Sequence, residues 1–225
     1  MEYTISDFFS KRFETESTEI FLSSYQYFSK GAVIDYVLQI TKISLSEFIL
    51  YISNNPIVNE ITSRDITQLS SINDCTVNMC EIMSEHGLGG LTLPEIATLL
   101  HSDNKYKDNF VALNKYGENH VKTAMQLGLT TFKNDLWFPT AIGSVFCNLP
   151  EGVRDKFLCL TLFRDPFYSR VITSLLKSDV ELRDFMTILS ESTQKRRTSS
   201  CNRVLSFFFN QCDIENIPVH NIISK

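Results

Sequence analysis

Asn114 to Phe138 read NKYGENHVKTAMQLGLTTFKNDLWF, and a change of period inside this stretch decides the fold. In its first half Val121, Ala124, Met125 and Gly128 recur at i, i+3, i+4 and i+7, one face of a helix, with Tyr116, Asn119, Thr123 and Gln126 opposite. From Leu129 the pattern becomes two short apolar runs around Lys133-Asn134-Asp135, the mark of a hairpin. Two helical stretches lie upstream. CTVNMCEIMSEHG (75–87) gathers Val77, Met79, Cys80, Ile82 and Met83 near one face and closes at Gly87. LTLPEIATLL (91–100) sets Thr92 and Glu95 at capping-box spacing, with Pro94 in the first turn where its missing donor costs little. GLGG (87–90) reads as the turn between them, and HSDNKYKDN (101–109) as a polar connection to the longer helix.

Helix, short helix, longer helix and hairpin is the order of a winged helix-turn-helix unit. From Asn114 to Gly143 the sequence resembles the recognition helix, the wing and the Thr-x-x-Gly helix start that follows it in prokaryotic winged helix-turn-helix DNA-binding proteins. The resemblance implies a helix in the major groove with the wing near the backbone. Carried onto this chain, it offers Asn119, Thr123 and Gln126 as base readers and Lys133 at the wing tip. His120 and Lys122 stand on the helix flank as phosphate donors. An Asn or Gln amide donates to and accepts from adenine at once, and Thr offers a hydroxyl and a methyl. The competing reading of these residues is a polar, solvated helix face, and winged helices also serve as protein-interaction modules.

A second cationic stretch, STQKRRTSSCNRVLSFF, runs from Ser192 to Phe208. At about 100° per residue, Lys195, Arg196, Ser199, Asn202 and Arg203 fall within a sector roughly 120° wide, and Cys201, Val204, Leu205 and Phe208 fall opposite. PFYSRVITSLLKS and ELRDFMTILSES read as two helices ahead of it, with Ser192 or Thr193 as the cap of the third. Cations in the first turns oppose the macrodipole, which argues that something other than local helix stability favours them there, although Glu191 offsets part of the effect. Arg197 falls on the apolar side, so a structural ion pair or a phosphate contact is expected of it. Thr193-x-x-Arg196-Arg197-x-x-Ser200 is similar to helix-turn-helix segments of proteins associated with restriction and mobile elements. An apolar back and a basic front with its cations in the N-terminal turns are what a second recognition helix needs, with Ser199 and Asn202 reading bases and Lys195, Arg196 and Arg203 meeting phosphates.

The net charge of -5 argues against a polyanion binder until its distribution is read. Residues 1–119 hold 8 Lys+Arg against 16 Asp+Glu, whereas residues 120–210 hold 12 against 8. A basic segment therefore follows an acidic one. The first residues lack the basic start and apolar stretch of a signal peptide, and no run reaches the length of a membrane helix, so a cytoplasmic, soluble chain is expected. Six cysteines without a CxxC pair read as buried free thiols. The four histidines are far apart, no phosphate-loop, dinucleotide or nucleophile-elbow motif occurs, and Glu60, Asp65 and Asp74 are too scattered for a magnesium nuclease. No enzyme activity, metal or cofactor is expected.

These readings combine into a mainly α-helical chain. Residues 1–72 form a helical interaction module, 73–150 a winged helix-turn-helix with a short β-hairpin, and 151–225 a second helix-turn-helix unit. The function expected is double-stranded DNA binding by tandem helix-turn-helix units, as the recognition or regulatory component of a larger system. The alternative is an adaptor whose winged fold docks a partner enzyme, with the aromatic, acidic N-terminal region contributing a protein contact.

Overall fold

A computed structural model of the chain describes residues 2–11, 13, 28–100 and 109–223. The helices are, in order, α1 (Ile5–Phe9), α2 (Phe28–Ile40), α3 (Leu45–Asn54), α4 (Ile72–Cys75), α5 (Val77–His86), α6 (Leu93–Leu100), α7 (Phe110–Gln126), α8 (Gly143–Phe146), α9 (Glu151–Thr161), α10 (Pro166–Leu175) and α11 (Glu191–Glu215). Two short sheets join them: β1 (Thr130–Lys133) with β2 (Leu136–Pro139), antiparallel, and β3 (Val180–Glu181) with β4 (Ile222–Ile223), parallel. The protein is mainly helical, as expected. Among the described residues no helix is long and apolar enough to cross a membrane.

Packing divides the chain differently from the boundary read at residues 72 and 73. One unit comprises Met1–Leu38 and Leu69–Pro150, the other Gln39–Gln68 and Glu151–Lys225. The physical reason lies in the polar bonds of residues 39–68. Glu215 accepts from the Leu45 amide at 2.7 Å, Arg197 donates to the carbonyls of Ser63 and Ile66 at 2.6 Å each, and Tyr168 donates to Thr67 at 2.6 Å. Residues 39–68 therefore belong with the C-terminal helices, and residues 1–72 are not a separate module.

In the first unit, Tyr36 of α2 receives the rings of Tyr3 and Phe13 edge-on, each 5.0 Å away. The stretch read as one helix from residue 75 breaks at Thr76, whose φ of -118° and ψ of -93° separate α4 from α5. Thr92 and Glu95 meet as their spacing predicts, the carboxylate accepting from the Thr92 amide at 2.8 Å and hydroxyl at 2.7 Å. Gly90, at φ +83°, turns the chain so that Leu91 exchanges both backbone hydrogen bonds with Trp137 at 2.8 Å. A Cβ at Gly90 would also strike Phe138 at 2.7 Å. Leu91 thus lies on the outer side of β2 from β1. Asn134 and Asp135, both at positive φ, form the two-residue turn, and the mirror-image turn they make matches the strand twist.

The rotation of α7 is fixed by Gly117. A Cβ there would lie 2.8 Å from the Ala97 Cβ and 2.9 Å from its Cα, so α6 and α7 meet at this glycine. The buried face of α7 is consequently Gly117, His120, Val121, Thr123 and Ala124, while Met125 is 43% exposed. This corrects the face read from sequence, which put Met125 inside and Thr123 outside.

In the second unit the Phe163 ring sits between Phe48 and Phe208, each 6.2 Å away. Asp165 caps α10 through the amides of Phe167 and Tyr168, with Pro166 in the first turn. Lys156, buried on α9, pairs with Glu215, which also accepts from Gln211 at 2.7 Å. The helix expected over residues 181–192 is absent: Leu182–Phe185 forms one 3-10 turn, and α11 begins after Ser190. Residues 176–190 separate α10 from α11, far longer than the three or four residues of a helix-turn-helix connection. The second helix-turn-helix unit is therefore not formed by these helices.

Replacing an interior helical glycine with alanine ordinarily stabilises by about 1 kcal/mol. At position 117 overpacking against Ala97 reverses the sign, and Gly117→Ala is expected to destabilise the first unit by about 1–2 kcal/mol. Urea unfolding followed by the fluorescence of Trp137, the single tryptophan, measures it. Gly152→Ala, where a Cβ meets nothing within 4 Å, serves as the control and is expected to be neutral or stabilising. A Gly117→Ala protein as stable as the parent would show that the helix contact does not set the rotation.

Candidate nucleic-acid interface

The 25 residues of α11 run from the Ser190 cap to Asn216, whose left-handed conformation ends the helix. Its buried side includes Ser200, Cys201, Val204, Leu205, Phe208 and Cys212. Lys195, Arg196, Ser199 and Arg203 are exposed on the other side, and Asn202 is half-buried beside them. Among the described residues no ion pair engages Lys195 or Arg196, and Arg196 donates only to the Thr193 hydroxyl at 3.3 Å. Arg197 points the other way. Its bonds to the carbonyls of Ser63 and Ile66 make it a structural residue, in place of the ion pair or phosphate contact expected, and burial lowers its pKa.

The cap position revises one argument. Counting from Glu191 as the first helical residue, Lys195 and Arg196 occupy the second turn, and the macrodipole acts mainly within the first. Their unfavourable term is therefore small, and the placement of these cations does not require a ligand to explain it.

On α7 the outward face carries Val111, Lys115, Lys122 and Met125, with Glu118, Asn119 and Gln126 half-buried beside them. Glu118 accepts from Lys115 at 2.7 Å and Lys122 at 2.5 Å, and these two ammonium groups hold its carboxyl below the usual range. Lys122 is thus exposed but already paired. Lys133 is exposed at the end of β1, where no ion pair engages it among the described residues. The hairpin also exposes Phe132, whose ring lies 4.8 Å from that of Trp137.

Two residues expected at the surface are buried. Thr123 is 2% exposed and donates to the carbonyl of Asn119 at 3.0 Å, so it has no base-reading role. His120 is 1% exposed and cannot meet phosphate. Its Nδ1 donates to the Tyr116 carbonyl at 2.8 Å, leaving Nε2 to accept from the amides of Ser71 at 3.2 Å and Ser70 at 3.4 Å. Tyr116 stacks on the imidazole at 4.1 Å and donates its hydroxyl to Asp74. This Tyr116–His120 pair anchors the start of α4 to α7. The i, i+4 spacing of two aromatic residues was visible in the sequence and marked them for one face, but the face itself depended on Gly117.

Among the described residues no group of three His, Cys, Asp or Glu side chains could hold a metal ion. Asp65 accepts from the Thr62 amide at 2.6 Å, and Asp74 from Tyr116 and from Asn78. All six cysteines are free, and burial raises the thiol of Cys201 to about 12 and that of Cys212 to about 12. No family model, curated protein or solved structure matches the chain.

His120→Ala removes the acceptor from two amides and the partner from the Tyr116 ring. Leaving buried donors unsatisfied costs about 1–3 kcal/mol each, so a loss of about 2–4 kcal/mol in the first unit is expected from urea unfolding. A loss under about 0.5 kcal/mol would show that the imidazole clamp is not structural.

Proposed function

We propose that the protein binds double-stranded DNA, with the exposed sector of α11 as its principal contact. One observation carries the reading: Lys195, Arg196, Ser199 and Arg203 share an exposed helix face, with Asn202 half-buried at its edge, while the apolar side of the same helix is in a core. A positive helix face of this kind meets phosphates through its cations and offers Ser199 to base edges, whereas the Oδ1 of Asn202 is buried. This reading uses α11 as a basic helix outside a helix-turn-helix pair.

We assign a winged helix-turn-helix reading to residues 77–139. It is supported by the order α5, Leu91, α6, α7, β1, β2 and by the pairing of Leu91 with Trp137 beside the hairpin. In this reading Asn119 and Gln126 reach bases, and Lys133 meets the backbone. A separate observation favours protein docking by the same unit. Its two sequence segments hold 8 Lys+Arg against 14 Asp+Glu, a net of -6, whereas the second unit holds 13 against 12, a net of +1. The field of the first unit repels DNA, so its share in affinity is small.

Lys195→Ala with Arg196→Ala is expected to weaken specific and random duplex alike and to lower the salt slope by up to about two, at about 0.9 per phosphate. Anisotropy titrations at several salt concentrations measure this, and an unchanged slope in the folded double mutant would overturn the α11 assignment.

Asn119→Ala with Gln126→Ala is expected to leave random-duplex binding unchanged. The same mutant should lose about 1–3 kcal/mol of preference for a selected site per bidentate contact. Equal loss on selected and scrambled duplexes would remove base reading from α7.

A further inference from the structure

The first unit carries an open groove of about 420 Å³ lined by His86, Leu91, Pro94, Glu95, Thr98 and Leu99, on a different helix from the face assigned to base reading. Its floor is apolar. Leu91 is fixed by its two backbone bonds to Trp137, and Leu99, in the last turn of α6, is 37% exposed. Its rim is acidic. Glu95 uses Oε2 for both bonds to Thr92, and among the described residues no bond engages its Oε1. The Thr92 hydroxyl, then the Thr92 amide, lower the Glu95 pKa, so this carboxylate stays charged. Glu85, highly exposed, stands 3.6 Å from the His86 ring. Among the described residues none that line it is Lys or Arg.

We propose that this groove docks a cationic segment of a partner protein, which seats one large apolar side chain on Leu91, Pro94 and Leu99 and sets a Lys or Arg against Glu95. The inference rests on the protein-docking reading of the first unit and names its site and its ligand chemistry. Charge complementarity selects the occupant: the Glu95 carboxylate, on a unit of net charge -6, repels nucleic acid and acidic peptides. The open shape suits a side-chain anchor, since small-molecule sites enclose most of their ligand.

The test selects binders from a random 12-residue peptide library displayed on phage, using the full chain. Leu99→Ser protein serves as the competitor that removes peptides bound elsewhere. Enriched peptides are then titrated by anisotropy against parent, Leu99→Ser, Thr98→Lys and Glu95→Gln proteins. The expected result is enrichment of Lys or Arg beside Leu, Phe or Trp, with affinity falling as salt rises. Leu99→Ser and Thr98→Lys should each weaken binding at least fivefold, and Glu95→Gln about threefold. Circular dichroism checks the folding of each variant, and two exposed-site variants keep the test decisive if one fails to fold. Duplex DNA affinity is expected to stay unchanged in all three, which separates failure of this site from failure of the α11 reading. Enrichment of acidic or uncharged peptides, no peptide sensitive to position 99 or 98, or a concentration-dependent dimer of the parent chain that Leu99→Ser abolishes would overturn the proposal.

Discussion

The close approach of α6 and α7 at Gly117 governs what the first unit can present. With no side chain at that position, Ala97 seats against the α7 backbone, and the helix turns His120, Thr123 and Ala124 inward. That rotation leaves Lys115, Lys122 and Met125 outside and brings Tyr116 and His120 to the start of α4. A few tens of degrees of rotation about the helix axis exchange surface residues for core residues. A contact of two small residues therefore decides which polar side chains are available to a partner.

Charge separates the two units more sharply than it separates the two halves of the sequence. Dividing at residue 119 assigns Lys122 and Lys133 to a basic segment, but packing places both in a unit where acids outnumber bases by six. The two lysines of α7 also share one carboxylate, so that face offers less charge than its sequence suggests. On α11, no ion pair engages Lys195 or Arg196 among the described residues. The first unit is thus net -6 and the second net +1, with Lys195 and Arg196 of α11 on the second.

Elements with strong local signals were legible in the sequence: the Thr92–Glu95 cap, the Asn134-Asp135 turn, the start of α10 after Asp165, and the apolar back of α11 all follow from residue type and spacing. The errors share one cause. The face of α7, the fate of residues 181–190 and the allegiance of residues 39–68 are set by partners distant in sequence, which periodicity does not encode. ELRDFMTILSES has a helical pattern, yet Met186 and Leu182 enter the core of the second unit from a 3-10 turn and the residues just after it. The site residues divide in the same way. Those placed by the α11 wheel lie on its exposed side or at its margin, because that helix has a wide apolar back. His120 and Thr123 were misplaced with the face they belonged to.

Lys195, Arg196 and Arg197 show how closely folding and ligand chemistry are interleaved. Successive residues on a helix point about 100° apart, so three adjacent cations cannot all serve one partner. The first two face outward. The third reaches carbonyls of Ser63 and Ile66, more than 130 residues away in sequence, and Glu215 at the other end of the helix holds the Leu45 amide. Both contacts belong to residues 39–68, so the cationic face is held in place by a segment from the first third of the chain. Such long-range closures carry a loop-entropy cost that must be met before the core forms. A truncation at residue 72 removes both carbonyl partners of Arg197 and the Leu45 amide that donates to Glu215, leaving Glu215 only Lys156 and Gln211.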